Sequence, residues 1–169
     1  CENFIDENTE LIPVNAIVQN IQKPNHISMY EFVVEELQKL GISDAKTQID
    51  DMLLLDYIIF NEDRHFNNFG FIRNVETLEI KNMAPIYDSG TSLFYNTLDT
   101  AIKSYNPDVK PFYTDRQKQF ELIKGKIDKK IDANKIHKII VDVLSESDYL
   151  EEFAFERKKI IADRVANSL

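Results

Sequence analysis

Glycine is scarce in this chain. Four occur among 169 residues, Gly41, Gly70, Gly90 and Gly125, and they are never clustered. A Gly-rich loop that cradles phosphates on backbone amides therefore cannot be drawn in it. Cysteine is scarcer still: Cys1 stands alone, which excludes an internal disulfide and every cysteine-based metal cluster and fits a reducing, cytoplasmic setting. No apolar run is long enough to span a bilayer, and the acidic opening Cys1-Glu2-Asn3-Phe4-Ile5-Asp6-Glu7 lacks a signal peptide's basic start. The expectation is a soluble protein that is not exported. Positive charge is also short, with 20 Lys and Arg against 29 Asp and Glu. The net charge of −9 repels a polyanion and disfavours direct binding of nucleic acid. The one locally basic stretch, Lys110 to Lys130, mixes Arg116, Lys118, Lys124, Lys126, Lys129 and Lys130 with Asp115, Glu121 and Asp128 and reads as a solvated helix face.

What is present is enough apolar sequence, 43%, to bury one core, and two short polar runs that carry chemistry. The first is Asn61-Glu62-Asp63-Arg64-His65-Phe66-Asn67-Asn68-Phe69-Gly70 and the second Pro85-Ile86-Tyr87-Asp88-Ser89-Gly90. Asp63 and Asn68 stand five positions apart, the spacing of a kinase catalytic loop, in which the Asp accepts a hydroxyl proton and the Asn holds magnesium. Asp88 occupies the place of the aspartate that binds the metal bridging the ATP phosphates. One carboxylate, one amide oxygen and the phosphates suffice for magnesium, which keeps several waters. Taken singly, each run has an ordinary reading: Asp63 as a surface residue at a helix end, Asp-Ser-Gly as common turn chemistry.

Order and context narrow the choice. Asp56-Tyr57-Ile58-Ile59 leads into Asn61-Glu62-Asp63-Arg64-His65; then come Asn68-Phe69-Gly70-Phe71 and Ala84-Pro85-Ile86-Tyr87-Asp88-Ser89-Gly90-Thr91-Ser92-Leu93-Phe94. In these segments the chain resembles the HipA-like kinases, bacterial serine/threonine kinases named for a toxin component. The likeness runs from Cys1 to about Phe120 and is most specific across 56–94. A secondary likeness is to phosphoinositide lipid kinases, whose catalytic loops also read Asp-Arg-His followed by Asn. The resemblance implies ATP and Mg2+ as cofactors, Asp63 as catalytic base, and Asn68 and Asp88 as metal ligands. It implies ATP contacts from His65, Asn68, Tyr87 and Asp88, with Asp56 and Arg64 in structural support.

His65 either approaches the nucleotide phosphates, as the family's matching position does, or pins the loop by donating to a backbone carbonyl. Arg64 is expected to balance a nearby carboxylate, with Asp56 the candidate. A carboxylate on an apolar helix face needs a partner, so Asp56 either braces the loop or takes a direct part in catalysis. The resemblance also implies partners: ATP, a protein substrate and an antitoxin-like protein, with no membrane. HipA-like kinases carry, before this region, a smaller lobe with a phosphate-binding loop and a Lys, and this chain offers no candidate for either. Residues 1–169 are therefore expected to form a single C-terminal lobe without the N-terminal ATP-binding lobe, holding half an active site. Two other functions remain open: a small-molecule or lipid kinase lobe, and a pseudokinase-like interaction module of a toxin–antitoxin pair.

The expected fold is mainly α with a small β hairpin, an α+β arrangement like a kinase C-terminal lobe. Ser28 precedes a helical run to about Leu40, with Phe32, Val33, Leu37 and Leu40 on one stripe and Gly41 as the stop. A second helix runs from after Ser43 to about Phe60 and delivers the chain to Asp63. Residues 69–73 and 78–86 read as a hairpin around Asn74-Val75-Glu76-Thr77 that turns Asp88 toward Asn68. A loop with Pro107 and Pro111 follows, then helices over about 115–129, 134–144 and 148–167, the first with a Thr114–Gln117 capping box. Leu150, Phe153, Ala154, Ile161 and Val165 form the last helix's buried stripe. His26 and His137 read as surface or cap residues. Lys110-Pro111-Phe112 reads either as a substrate-facing segment after the Asp-Ser-Gly turn or as a loop braced by prolines and an aromatic.

Overall fold

The computed structural model describes residues 3–125, 131–146 and 155–169. Its elements run β1 (Thr9–Pro13), α1 (Val14–Val18), α2 (Met29–Lys39), α3 (Ala45–Ile59), β2 (Gly70–Asn74), β3 (Ile80–Met83), α4 (Asp99–Ile102), α5 (Arg116–Lys124), α6 (Ala133–Glu146) and α7 (Phe155–Ala166). This is the α+β lobe expected, with one addition. The hairpin of β2 and β3 is extended by β1 into a three-stranded antiparallel sheet of order β1-β2-β3. β1 escapes the sequence reading because Thr9-Glu10-Leu11-Ile12-Pro13 is short, ends in proline and carries no clean alternation. No helix among the described residues is long and apolar enough to cross a membrane.

Local signals set the helix ends. Ser28 and Glu31 form a reciprocal capping box at the start of α2, the Glu31 amide donating to Ser28 Oγ and the Ser28 amide to Glu31 Oε2. At α5 the expected Thr114–Gln117 box is not used. Asp115 caps instead, accepting from the Lys118 amide at 2.7 Å, because a carboxylate also complements the helix dipole. The helix stops at Gly125 rather than near 129, and 126–130 lie outside the described residues, as do Leu150, Phe153 and Ala154 of the last predicted stripe. Ile161 and Val165 of that stripe are buried. Nor is the basic stretch uniformly solvated: Arg116 is buried, its guanidinium lying over the rings of Tyr57 and Phe60 at 3.6 and 3.7 Å. Burial pulls its pKa down to about 10. His137 reaches from α6 to Asp163 on α7, 3.0 Å away.

Two apolar clusters make the interior. One gathers Val14, Phe32, Val33, Leu37, Ile49, Met52, Phe69 and Phe71 from α1, α2, α3 and β2. The other gathers Phe60, Phe94, Ile102, Ile140, Leu144, Ile161 and Val165 from the end of α3 through α7. Each such side chain contributes about 1.5–3 kcal/mol on burial. Phe60 and Phe69 belong to different clusters, so segment 61–68 is strung between two fixed points. At the first of them the chain leaves α3 through a left-handed residue, Phe60 at φ 56°, which turns it sharply toward the loop.

At the second point Gly70 opens β2 hard against β1. A Cβ there would lie 2.4 Å from the Ile12 carbonyl oxygen and 2.8 Å from Pro13 Cα, both backbone atoms with no freedom to retreat. Gly70→Ala should therefore cost about 2 kcal/mol or more by prising β1 off β2. Chemical denaturation checks this, and an unchanged midpoint would contradict the packing described.

Candidate functional site

Arg64 is fully buried, and each of its five N–H donors has an acceptor. Nε and Nη2 grip the Asp56 carboxylate in a fork, both at 2.9 Å. Nη1 donates to the Asn68 carbonyl at 2.7 Å and to the Tyr87 carbonyl at 2.5 Å. Nη2 also donates to Ser89 Oγ at 2.8 Å. One side chain thus ties the end of α3, the loop 61–68 and the segment 87–89 together. Asn61, also buried, adds a second layer: Nδ2 donates to Asp56 Oδ1 at 2.8 Å, while Oδ1 accepts from the Thr91 hydroxyl at 3.0 Å and the Asp63 amide at 3.3 Å. With Arg64 and Asn61 as partners, the buried Asp56 carboxylate is fully engaged inside the fold.

This framework fixes what surrounds it. Asn68 is buried, and its Nδ2 donates to the Asp63 carbonyl at 2.9 Å. The amide's orientation is thereby settled, leaving Oδ1 as the free end; it accepts from no described residue and is not sealed from solvent. Asp88 is exposed in the left-handed region at φ 53°, a conformation Asp tolerates, and its carboxylate takes no hydrogen bond from a described residue. The carbonyl before it and the hydroxyl after it are both held by Arg64, whose Nη1 also holds the Asn68 carbonyl. An amide oxygen and a carboxylate, both hard ligands, thus project from backbone segments bound to one guanidinium. That donor chemistry fits magnesium. No cluster of three His, Cys, Asp or Glu side chains able to hold a metal occurs among the described residues.

Asp63, His65 and Tyr87 sit around this pair. The Asp63 side chain is 40% exposed, and its Oδ1 accepts from Lys110 Nζ at 2.6 Å. That hydrogen bond holds the carboxyl below its ordinary value against a smaller opposing effect of burial. His65 Nε2 lies 3.9 Å from Asp63 Oδ2, and its Nδ1 accepts from the Asn67 amide at 3.3 Å rather than donating to a carbonyl. Tyr87 donates its hydroxyl to the Asn67 carbonyl at 2.9 Å and stacks on Phe4 with ring centroids 6.1 Å apart. Partial burial pushes its phenol up.

Lys110 is the residue that sequence reasoning passed over. The loop around 110–112 is singled out by Pro107 and Pro111, but nothing local in a lysine 47 positions downstream announces a contact with Asp63. Its backbone is held by buried Gln119, whose Nε2 donates to the Lys110 carbonyl at 2.7 Å while Oε1 accepts from the Phe112 and Tyr113 amides at 3.0 and 3.3 Å. Phe112 is wedged between Tyr30 and Phe66, with centroids 5.2 and 5.8 Å away. Ser89, Thr91 and Asn61 are likewise polar residues whose roles in the framework emerge only in three dimensions.

The sequence matches no protein-family model and no curated protein. Solved structures do match it. The crystal structure of CtkA, a proinflammatory kinase of Helicobacter pylori, superposes with a TM-score of 0.68 at 19% identity, covering 100% of this chain and 71% of that one. The lobe built around Arg64 therefore has a kinase-like fold.

Arg64→Lys tests the framework. Lysine keeps the charge but offers three donors without the planar fork, so buried acceptors at Asp56, Asn68 or Tyr87 are left unpaired, at a cost of about 3 kcal/mol or more. Equal unfolding midpoints for the two proteins would contradict the description. Lys110→Met should let the Asp63 carboxyl rise toward its ordinary value in a 13C NMR titration. No movement would show that the Lys110 contact is not what holds it down.

Proposed function

We propose that this chain is the C-terminal catalytic lobe of a HipA-like, ATP-dependent protein serine/threonine kinase. The observation that carries the reading is the Arg64 cross-link between the Asn68 and Tyr87 carbonyls, which ties the loop holding Asp63 and Asn68 to the turn holding Asp88. An ordinary surface turn has no need of a fully buried guanidinium beneath it. The kinase-like fold of the whole chain supports the same reading, and the protein acceptor rests on the resemblance across residues 56–94.

In this reading Asp63, kept ionised at neutral pH, accepts the proton of the acceptor hydroxyl as its oxygen bonds to the γ-phosphorus. The bond from that phosphorus to the β–γ bridging oxygen breaks, the electron pair leaves on ADP, and Asp63 then returns its proton to water. Asn68 Oδ1 and the Asp88 carboxylate would hold magnesium, which when bound would neutralise charge on the phosphate oxygens. His65, beside Asp63, faces the phosphates, and Tyr87 borders the nucleotide. Asp56 and Arg64 touch no substrate; they keep the loop and the turn in register. Most of the rate enhancement is positioning, so the rigidity of this framework is itself catalytic equipment. A smaller lobe of the kind the resemblance implies would supply the remaining phosphate contacts.

Two substitutions in the full-length protein separate the roles. Asp63→Asn should abolish transfer while leaving nucleotide affinity nearly intact, because the nucleotide is held elsewhere. Asp88→Asn should lower activity about 100-fold or more with little change in melting temperature, since it removes a metal ligand and no protein contact. Robust turnover in either variant, in a radiolabelled phosphate-transfer assay, would refute its assigned role.

A further inference from the structure

The Lys110–Asp63 ion pair poses a problem for a catalytic carboxylate. An ammonium at 2.6 Å occupies the oxygen that must receive a proton, yet the pair is held by little: the side chains are 55% and 40% exposed. Exposed pairs contribute little stability, so the contact is easily exchanged for a better partner. Nor is it needed to secure the loop. Gln119 binds the backbone at Lys110, Phe112 and Tyr113; the Val109 amide donates to the Thr114 carbonyl at 2.8 Å; and Phe112 is locked between two rings. The segment is fixed from behind, and what it presents toward Asp63 is a half-exposed ammonium. Arg64 cannot serve as that cation, because all five of its donors are committed in the interior.

We propose that Lys110 binds the γ-phosphoryl group, its ammonium resting on Asp63 in the nucleotide-free lobe and passing to the phosphate oxygens when ATP arrives. The inference rests on the kinase reading and adds to it a residue that touches the transferred group. A terminal phosphate offers three oxygens and more negative charge than one carboxylate, so it outcompetes Asp63 for the ammonium. The transfer has two effects. Asp63 is freed to accept the acceptor's proton only once a phosphoryl group is in place, and the cation is set where negative charge must be balanced as the acceptor oxygen approaches. Tethering at the backbone confines the ammonium to the vicinity of Asp63, where the proposed base would meet the transferred γ-phosphoryl group.

The test compares two nucleotides on one variant. Binding of AMPPNP and of ADP, each with magnesium, is measured by calorimetry on the full-length protein and on Lys110→Met. AMPPNP affinity should fall about tenfold in Lys110→Met, the usual loss of a charge-assisted hydrogen bond, with ADP affinity unchanged. Lys110→Arg should recover part of the loss, since it restores the charge. Equal AMPPNP affinity in wild type and Lys110→Met would overturn the inference while leaving the kinase reading intact, and so would an equal loss for both nucleotides. If the wild-type protein binds neither nucleotide, the kinase reading fails and this inference falls with it.

Discussion

A buried ion pair holds the centre of this molecule. Placing Arg64 and Asp56 where neither reaches solvent carries a desolvation cost of several kcal/mol per charge, recovered only if the geometry is good and every remaining donor and lone pair is used. Here the conditions are met: the fork grips the carboxylate at 2.9 Å on both arms, and the three remaining N–H groups go to Asn68, Tyr87 and Ser89. Such a pair adds little net stability compared with an apolar substitute. What it adds is specificity, because a planar guanidinium can meet all of these acceptors in only one arrangement of loop and turn. In the proposed kinase, that arrangement is what sets the distance between base and metal ligands.

The two apolar clusters explain why the ion pair can act as a hub. Phe60 and Phe69 anchor the ends of the loop in separate cores, so the eight residues between them cannot drift as a surface loop would. Functional groups then face outward from a rigid floor. Asp88 stays exposed and Asn68 offers one oxygen, while Asp63, half-exposed, is met only by the Lys110 ammonium among the described residues' hydrogen bonds. At Asp88 this division of labour fits chemistry in which charge must be available to a ligand rather than neutralised by the protein.

Much of this was legible in the sequence, and the limits have physical causes. α2 and α3 declare themselves by apolar periodicity and by Ser28 and Gly41, since helix signals are local. The pairing of Asp56 with Arg64 could be anticipated because a carboxylate on an apolar face has few alternatives. β1 was hidden because a five-residue edge strand ending in proline has no pattern of its own and exists only through β2. Thr114 lost the cap to Asp115 by one position, where a carboxylate also complements the helix dipole. Arg116 looked like surface charge because composition cannot register two aromatic rings waiting to cover it. Lys110 was invisible as a partner of Asp63 for the same reason: the contact depends on how Gln119 folds a distant loop back.

In the proposed kinase Arg64 assembles a magnesium and nucleotide site from two separate segments. The most direct measurement is a crystal structure of the full-length protein with AMPPNP and magnesium. A metal ligated by Asn68 Oδ1 and the Asp88 carboxylate, with the γ-phosphate on the same face as Asp63, is the expected result. Nucleotide bound on another face of the lobe, or a metal that involves neither Asn68 nor Asp88, would contradict it.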